Sequence, residues 1–156
     1  MVEHYGLLLL RATLETPIFI FLSVLYAGKL FSARKLLPVL IIAIISTFII
    51  RSLPISFGIH TILMIFIFIM LLHSMLKVDL TQAVKGVILA FLTLLLVEWV
   101  SLALLTSFSM FEMESIMADP WQRFLAGIPS LVVLLLIALF IHKKVSRVSY
   151  RRREDG

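Results

Sequence analysis

Hydrophobic residues occur in long blocks along this chain, and short polar or charged segments separate the blocks. Blocks of about 20 apolar residues match the ~30 Å hydrocarbon core of a bilayer. The pattern predicts an all-α fold, an integral membrane bundle of about five transmembrane helices in a single domain over residues 1–145. The predicted spans are residues 5–31, 35–52, 58–77, 80–107 and 120–144, followed by a basic tail at 146–156.

Local signals mark the ends of these spans. Pro54 interrupts the second block, because proline cannot continue the helical hydrogen-bond ladder. Asp79, with a glutamine three residues later, has the spacing of a capping box and predicts the start of the fourth helix. Asp119 followed by Pro120 predicts the start of the fifth. The second span is barely long enough to cross the bilayer. The sequence is therefore also compatible with a strongly tilted or partly re-entrant segment.

Charge is distributed unevenly between the two ends of the predicted bundle. With five spans, residues 29–35, 77–85 and 143–153 share one end, and they carry three, two and six basic residues. The opposite end carries Glu3, Glu112 and Glu114. The positive-inside rule therefore predicts a multi-pass cell-membrane protein with its N-terminus outside and its C-terminus in the cytoplasm.

Composition narrows the function classes. The chain has 156 residues, 62% of them hydrophobic, and a mean hydropathy of +1.13, which is too apolar for a soluble domain of this size. It has no cysteine, which excludes disulfides, thiol catalysis and cysteine metal sites. Much of the net charge of +5 lies beside the last span, where it suits anionic lipid headgroups rather than nucleic acid. We find no metal, nucleophile or phosphate-loop motif, so we expect no enzymatic activity and no cofactor.

Five ionisable residues at membrane depth form the candidate site. A charged side chain in hydrocarbon costs at least ~2.5–3.5 kcal/mol on insertion scales. Each of these residues therefore requires a structural or functional explanation. Counting along the predicted helices places all five in the outer half of the bundle. Two interpretations stay open: an interhelical salt-bridge network that stabilises the bundle, and an outward-facing binding cavity. The five residues are Arg11, Glu15, Arg51, His60 and Glu98.

Two further features qualify this picture. Arg11 and Glu15 are four residues apart on one helix, so they could also neutralise each other. Residues 109–121 alternate methionine and phenylalanine with acids, which is typical of an interfacial amphipathic segment or of a lid over the cavity. Glu112, Glu114 and Trp121 are the candidate lid or interface residues, and Trp121 suits the aromatic belt of a membrane.

Three stretches together resemble a known family. Residues 53–61 (LPISFGIHT) are similar to the turn between the second and third helices of a group of Firmicute membrane modules. Residues 119–123 (DPWQR) with 127–129 (GIP) resemble the entry into their last helix, and Glu98 also matches. These modules are the N-terminal multi-helix sensor regions of AgrC-like histidine kinases with a GHKL-type ATPase domain. The resemblance covers about residues 5–145 and implies a sensor region, here without the kinase domain.

The resemblance and the outer polar residues together favour a non-catalytic sensor or regulatory module. We expect a ligand in the outer half, the lipid bilayer as surroundings, and a kinase or transporter component, or a second copy, as partner. Two alternatives remain. A small transporter or transporter membrane subunit would use Glu15 and Glu98 as ion or substrate sites. A structural partner protein would use the small residues Ala27, Gly28 and Gly127 for close helix contacts.

Overall fold

Five α-helices make up the part of the chain that the computed structural model describes, residues 2–53, 57–107 and 120–154. No strand occurs within these ranges, so the prediction of an all-α fold is confirmed. The helices are α1 (Val2–Tyr26), α2 (Ala33–Ser52), α3 (Phe57–Leu76), α4 (Leu80–Ser107) and α5 (Pro120–Glu154).

The outer surface of the bundle is apolar. Helices α2 to α5 each contain a stretch long and apolar enough to cross a membrane. In an 18-residue window of each stretch, at most 28% of the residues are buried inside the bundle. Large side chains such as Trp99 and Phe140 remain 74% and 73% exposed. So much contiguous apolar surface requires hydrocarbon around it, and the chain is therefore a multi-pass membrane protein. The four stretches are Ala33–Ser52, Gly58–Leu76, Leu80–Ser107 and Phe124–Arg147.

Helix α1 lies in the centre of the bundle. It packs against α2, α4 and α5, and the other helices pack as neighbours in the order α2, α3, α4, α5. From Glu15 to Tyr26 no residue of α1 is exposed. The surrounding helices replace lipid around α1, which is why this helix tolerates polar residues.

The first helix ends earlier than predicted, at Tyr26 instead of residue 31. Gly28 adopts a φ of +71°, and its N–H donates to the carbonyl of Leu25 at 2.9 Å. The N–H of Lys29 donates to the carbonyl of Val24 at 3.2 Å. This is the Schellman arrangement, in which glycine takes the left-handed conformation that side chains disfavour.

The last helix extends further than predicted. Residues 146–154, which the hydrophobic pattern separates as a basic tail, continue α5 as far as Glu154. No glycine or proline interrupts this segment, and lysine and arginine are good helix formers. The basic segment is therefore a continuation of a membrane helix, so a movement of α5 also moves it.

Polar contacts close the turn between α3 and α4. The Thr81 N–H donates to Oδ2 of Asp79 at 3.1 Å, so the prediction that Asp79 caps the fourth helix is confirmed. Nδ1 of His73 donates to the carbonyl of Val78 at 2.9 Å. The first contact satisfies a backbone N–H at the start of α4 that has no intrahelical partner, and the second satisfies a carbonyl of the turn itself.

Small residues bring α1 and α4 close together. A Cβ atom placed on Gly86 would overlap the carbonyl oxygen of Ser23 and would lie 3.2 Å from the Cβ of Ala27. Ala27, which the sequence offers as a contact for another protein, is thus used inside this chain. Tyr26 adds a polar contact between the same helices, with its hydroxyl 2.9 Å from Oγ1 of Thr93. The buried face of α4 consists of Ala83, Gly86, Val87, Ala90 and Ser101.

Candidate functional site

A cavity of about 390 Å³ lies between α1, α2, α3 and α4. Four titratable side chains, which we call the polar rim, lie toward the end where α1 and α3 begin: Glu15, Arg51, His60 and Glu98. Three phenylalanines further along the helices form what we call the aromatic floor: Phe19, Phe68 and Phe91. The remaining lining residues are Thr16, Thr61, Met64, Ile65, Leu94 and Leu95.

The polar rim contains four of the five ionisable residues that the sequence places at one depth. Each comes from a different helix, so the cavity exists only where the four helices pack together. The fifth, Arg11, lies on α1 one turn before Glu15, and its side chain is outside the described part of the chain.

An ion pair joins α1 to α2 within the polar rim. Nη2 of Arg51 donates to Oε2 of Glu15 at 3.3 Å. The Arg51 side chain is 28% exposed, whereas the Glu15 side chain is 9% exposed. The carboxylate is therefore the more strongly desolvated member and depends more on its partner than the guanidinium does. The sequence also allows a pair between Glu15 and Arg11, but the Arg11 side chain is outside the described part of the chain.

A second polar contact joins the same helices deeper in the bundle. Oγ1 of Thr16 donates to Oγ1 of Thr47 at 3.3 Å, and Thr47 donates in turn to the carbonyl of Ala43 at 2.8 Å. Both threonines are at least 97% buried, so each hydroxyl needs such a partner. Together with the ion pair, this contact sets the register of α1 against α2.

The aromatic floor closes the deep side of the cavity. The rings of Phe19 and Phe68 lie 5.1 Å apart between centroids, tilted by 41°. This separation is favourable for two aromatic rings, and both side chains are buried. Phe91 of α4 contributes a third, half-buried ring. The cavity thus has charge at one end and aromatic carbon at the other.

Sequence reasoning missed most of the apolar lining. The methionines and phenylalanines of α3 predict lipid contact or core packing, and Phe66 is indeed 61% exposed. Met64 and Phe68, however, line the cavity. They follow His60 at four-residue intervals and so share its helix face, a periodicity that could have identified them. The same rule applies on α4, where positions 91, 94, 95 and 98 form one face.

Of the three candidate lid or interface residues, the structure describes only Trp121. Glu112 and Glu114 lie outside the described residues. Trp121 lies at the start of α5, 53% exposed, with its ring 6.2 Å from that of Phe124 in an edge-to-face arrangement. The structure does not bring Trp121 to the cavity, since the described lining comes from α1 to α4.

The cavity is suited to binding. Its volume lies within the ~300–1,000 Å³ of typical small-molecule sites, and its few polar groups among apolar walls are characteristic of them. Among the described side chains, no group of three or more histidines or carboxylates is arranged to hold a metal ion. Comparison of the chain with models of protein families, with curated proteins and with solved structures finds no match.

Proposed function

We propose that this chain is a non-catalytic membrane sensor or regulatory module, which binds a ligand in the four-helix cavity and signals to a cytoplasmic or membrane partner. The observation that carries the proposal is a single cavity lined by α1, α2, α3 and α4 together. A ligand can shift a conformational equilibrium only if it binds two packings with different affinity. A ligand in this cavity would contact four helices at once, so a change in their packing would change its contacts and hence its affinity. The resemblance to the sensor regions of AgrC-like histidine kinases supports the same function.

Helix α5 provides a route for the signal. The described lining contains no residue of α5, but α5 packs against α1 and α4, which contribute to that lining. The ring of Phe21 on α1, for example, lies 5.7 Å from that of His142 on α5. With 35 residues, α5 is about 52 Å long at ~1.5 Å per residue, well beyond the ~30 Å hydrocarbon core. A shift of α1 or α4 therefore moves a basic helix end outside the bilayer.

The distribution of charge supports an orientation. Eight described basic residues lie at the end where α1 ends and α4 begins, which we propose faces the cytoplasm at the plasma membrane. The polar rim then opens toward the outside, where a sensor meets an external ligand. These residues are Lys29, Arg34, Lys35, Lys77, Lys85, Lys143, Lys144 and Arg147.

The absence of cysteine from the chain allows a direct test of this orientation. Single cysteines at Ser52 and Lys144, both exposed and at opposite ends of the bundle, would be treated with a membrane-impermeant maleimide in intact cells. We expect labelling at position 52 in intact cells, and labelling at position 144 only after permeabilisation. The reverse pattern would contradict the orientation.

The sensor function is tested by filling the cavity. A deletion strain would be complemented with the wild-type gene, with Leu94→Trp, which fills the cavity, or with Leu96→Trp, whose position is 67% exposed on the same helix. The readout is the set of transcripts that change on deletion. We expect restoration by wild type and by Leu96→Trp but not by Leu94→Trp, at equal membrane levels. Full restoration by Leu94→Trp would exclude a function based on the cavity.

The transporter alternative retains one favourable observation, two carboxylates, Glu15 and Glu98, that line one cavity. Purified protein in sealed vesicles distinguishes the two functions. A transporter would produce ion- or pH-dependent flux that is lost in Glu98→Gln. A sensor would produce none in wild type or variant, although the cavity-filling variant still fails to complement.

A further inference from the structure

We propose that a groove on the outside of the bundle, between α2 and α5, binds one anionic phospholipid, with an acyl chain against α1 and the headgroup among basic side chains. The site is separate from the cavity, and the proposal does not depend on the function proposed for that cavity. It is carried by the order of the helices, by the apolar face that this order leaves uncovered, and by the charge at one end of that face.

The groove follows from the order in which the helices pack. Helix α1 packs against α2, α4 and α5, and the outer helices follow one another as α2, α3, α4 and α5. Since α2 and α5 stand at the two ends of this order, no described helix covers α1 between them. The Leu14 side chain is 44% exposed there, and Pro17, Ile18 and Phe21 are half-buried. Their spacing of three and four residues places all four on one face of α1.

The floor of the groove suits a hydrocarbon chain. Its four side chains carry no polar atom, and the strip from residue 14 to residue 21 extends about 10 Å along α1 at ~1.5 Å per residue. Helix α5 forms one wall near Phe21, whose ring lies 5.7 Å from that of His142. A chain in such a groove contacts protein on several sides, and these close contacts favour association inside a bilayer.

Six exposed basic side chains lie where the groove ends. The contact between Phe21 and His142 sets their level, because Lys143 directly follows His142 on α5. Helix α5 contributes three of them, and the segment that leads from the end of α1 into α2 contributes the other three. None of the six forms an ion pair with another described residue. They are Lys29, Arg34, Lys35, Lys143, Lys144 and Arg147.

The combination of an apolar strip and a basic end favours a phospholipid. Basic pockets between transmembrane helices at a membrane surface are typical sites for acidic lipid headgroups. A soluble acidic protein could contact the basic side chains, but it would leave the strip in the bilayer uncovered. A transmembrane helix of a partner could cover the strip, but it would need acidic residues at one end. An anionic phospholipid has its chain and its charge in the required order.

Two lipids with the same acyl chains test the site. The full chain in non-ionic detergent would be incubated with phosphatidylglycerol or phosphatidylcholine, and native mass spectrometry would count the lipids that stay bound. We expect one phosphatidylglycerol, bound at least about tenfold more tightly than phosphatidylcholine. Glycerophosphoglycerol, which is the headgroup without acyl chains, should not displace it at equal concentration, because a free phosphate ester does not use the apolar strip.

Charge variants locate the headgroup. The double variant Lys35→Gln/Lys144→Gln removes one charge from each side of the groove and should lose roughly tenfold in affinity for phosphatidylglycerol. The matched control is Lys77→Gln/Lys85→Gln, which removes two exposed charges at the same end of the bundle but on the side of α3 and α4. It should lose less than about twofold. Equal losses in the two double variants would mean diffuse attraction to the whole basic end and would overturn the site.

A bulky side chain tests the apolar strip. Ile18→Trp should weaken binding of phosphatidylglycerol severalfold, whereas Ile62→Trp, at a position 69% exposed on α3, should bind as wild type does. Equal affinity of the wild type for both lipids, displacement by glycerophosphoglycerol, or unchanged binding in Ile18→Trp would each contradict the proposal. So would a polypeptide retained in place of the lipid when the protein is purified from its own membranes. These results are independent of Leu94→Trp, so the lipid site and the cavity function can fail separately.

Discussion

The ion pair between Glu15 and Arg51 has two unequal members, and this leads to an unequal response to mutation. The Glu15 side chain is 9% exposed, and the Arg51 side chain is 28% exposed. Removal of Arg51 takes an ion-pair partner from a strongly desolvated carboxylate, in a cavity that the carboxylate of Glu98 also lines. Removal of the Glu15 charge leaves a guanidinium that reaches water and still shares the cavity with Glu98.

The magnitudes follow from this difference in burial. Breaking a buried pair by removing one partner costs ~3–5 kcal/mol, and we expect about 3 kcal/mol for Arg51→Met because the pair is partly exposed. Glu15→Gln keeps an oxygen that accepts a hydrogen bond, so its loss should be about 1 kcal/mol. In the double variant neither member of the pair is charged. A total loss of ~2 kcal/mol instead of ~4 then corresponds to a coupling of ~2 kcal/mol.

The assay is equilibrium unfolding in mixed micelles of a mild detergent and dodecyl sulfate, followed by far-ultraviolet circular dichroism. Arg34→Met is the matched control, since it makes the same chemical change at an exposed position on the same helix. It should alter the free energy of unfolding by less than ~0.5 kcal/mol. A loss for Glu15→Gln equal to or larger than that for Arg51→Met would refute the burial reasoning, and additive losses would refute the coupling.

Three further predictions concern the helix framework, each measured as a change in unfolding free energy under the same conditions. Gly86→Ala should cost ~2–3 kcal/mol, because its Cβ would overlap the Ser23 carbonyl, whereas Gly58→Ala, with open space around it, should cost nothing. Equal effects at both glycines would contradict the close approach of α1 and α4. Gly28→Ala should cost ~1–2 kcal/mol because of its left-handed backbone, and no loss would argue against the helix end at Tyr26. Asp79→Ala should cost ~1 kcal/mol and Asp79→Asn much less, and similar losses would contradict capping by the side-chain oxygen.

Helix positions were largely predictable because they follow from local properties of the chain. The helix over residues 80–107 has the predicted bounds, and the helix that begins at Pro120 starts where predicted. Apolar blocks and capping residues act within a few positions of themselves, so the sequence contains this information directly. The signal that ends α1, Gly28, is also local. The prediction missed it because the apolar block continues past this glycine to residue 31.

The candidate site was predictable only in part. A charge in an apolar block is conspicuous, and helical rise fixes its depth, so four residues of the polar rim could be assigned to one level. The aromatic floor and the Thr16–Thr47 contact could not, because phenylalanine and threonine are ordinary in membrane helices whether they face lipid, a neighbour or a cavity. The rotation of each helix about its own axis decides which of these three surroundings a side chain faces, and the sequence of one helix does not fix that rotation.

The sequence by itself determined that the chain is helical, that it belongs in a membrane, and that four of its ionisable residues lie at one level of the bundle. Hydrophobic burial and backbone hydrogen bonding act along each segment, so these properties need no knowledge of neighbours. The tertiary structure alone decided that α1 is the central helix and that Glu15 pairs with Arg51 of α2. It also decided that four helices enclose a cavity. In lipid, helices associate through the shape and polarity of their packed faces, and this complementarity is a property of pairs of helices, not of one.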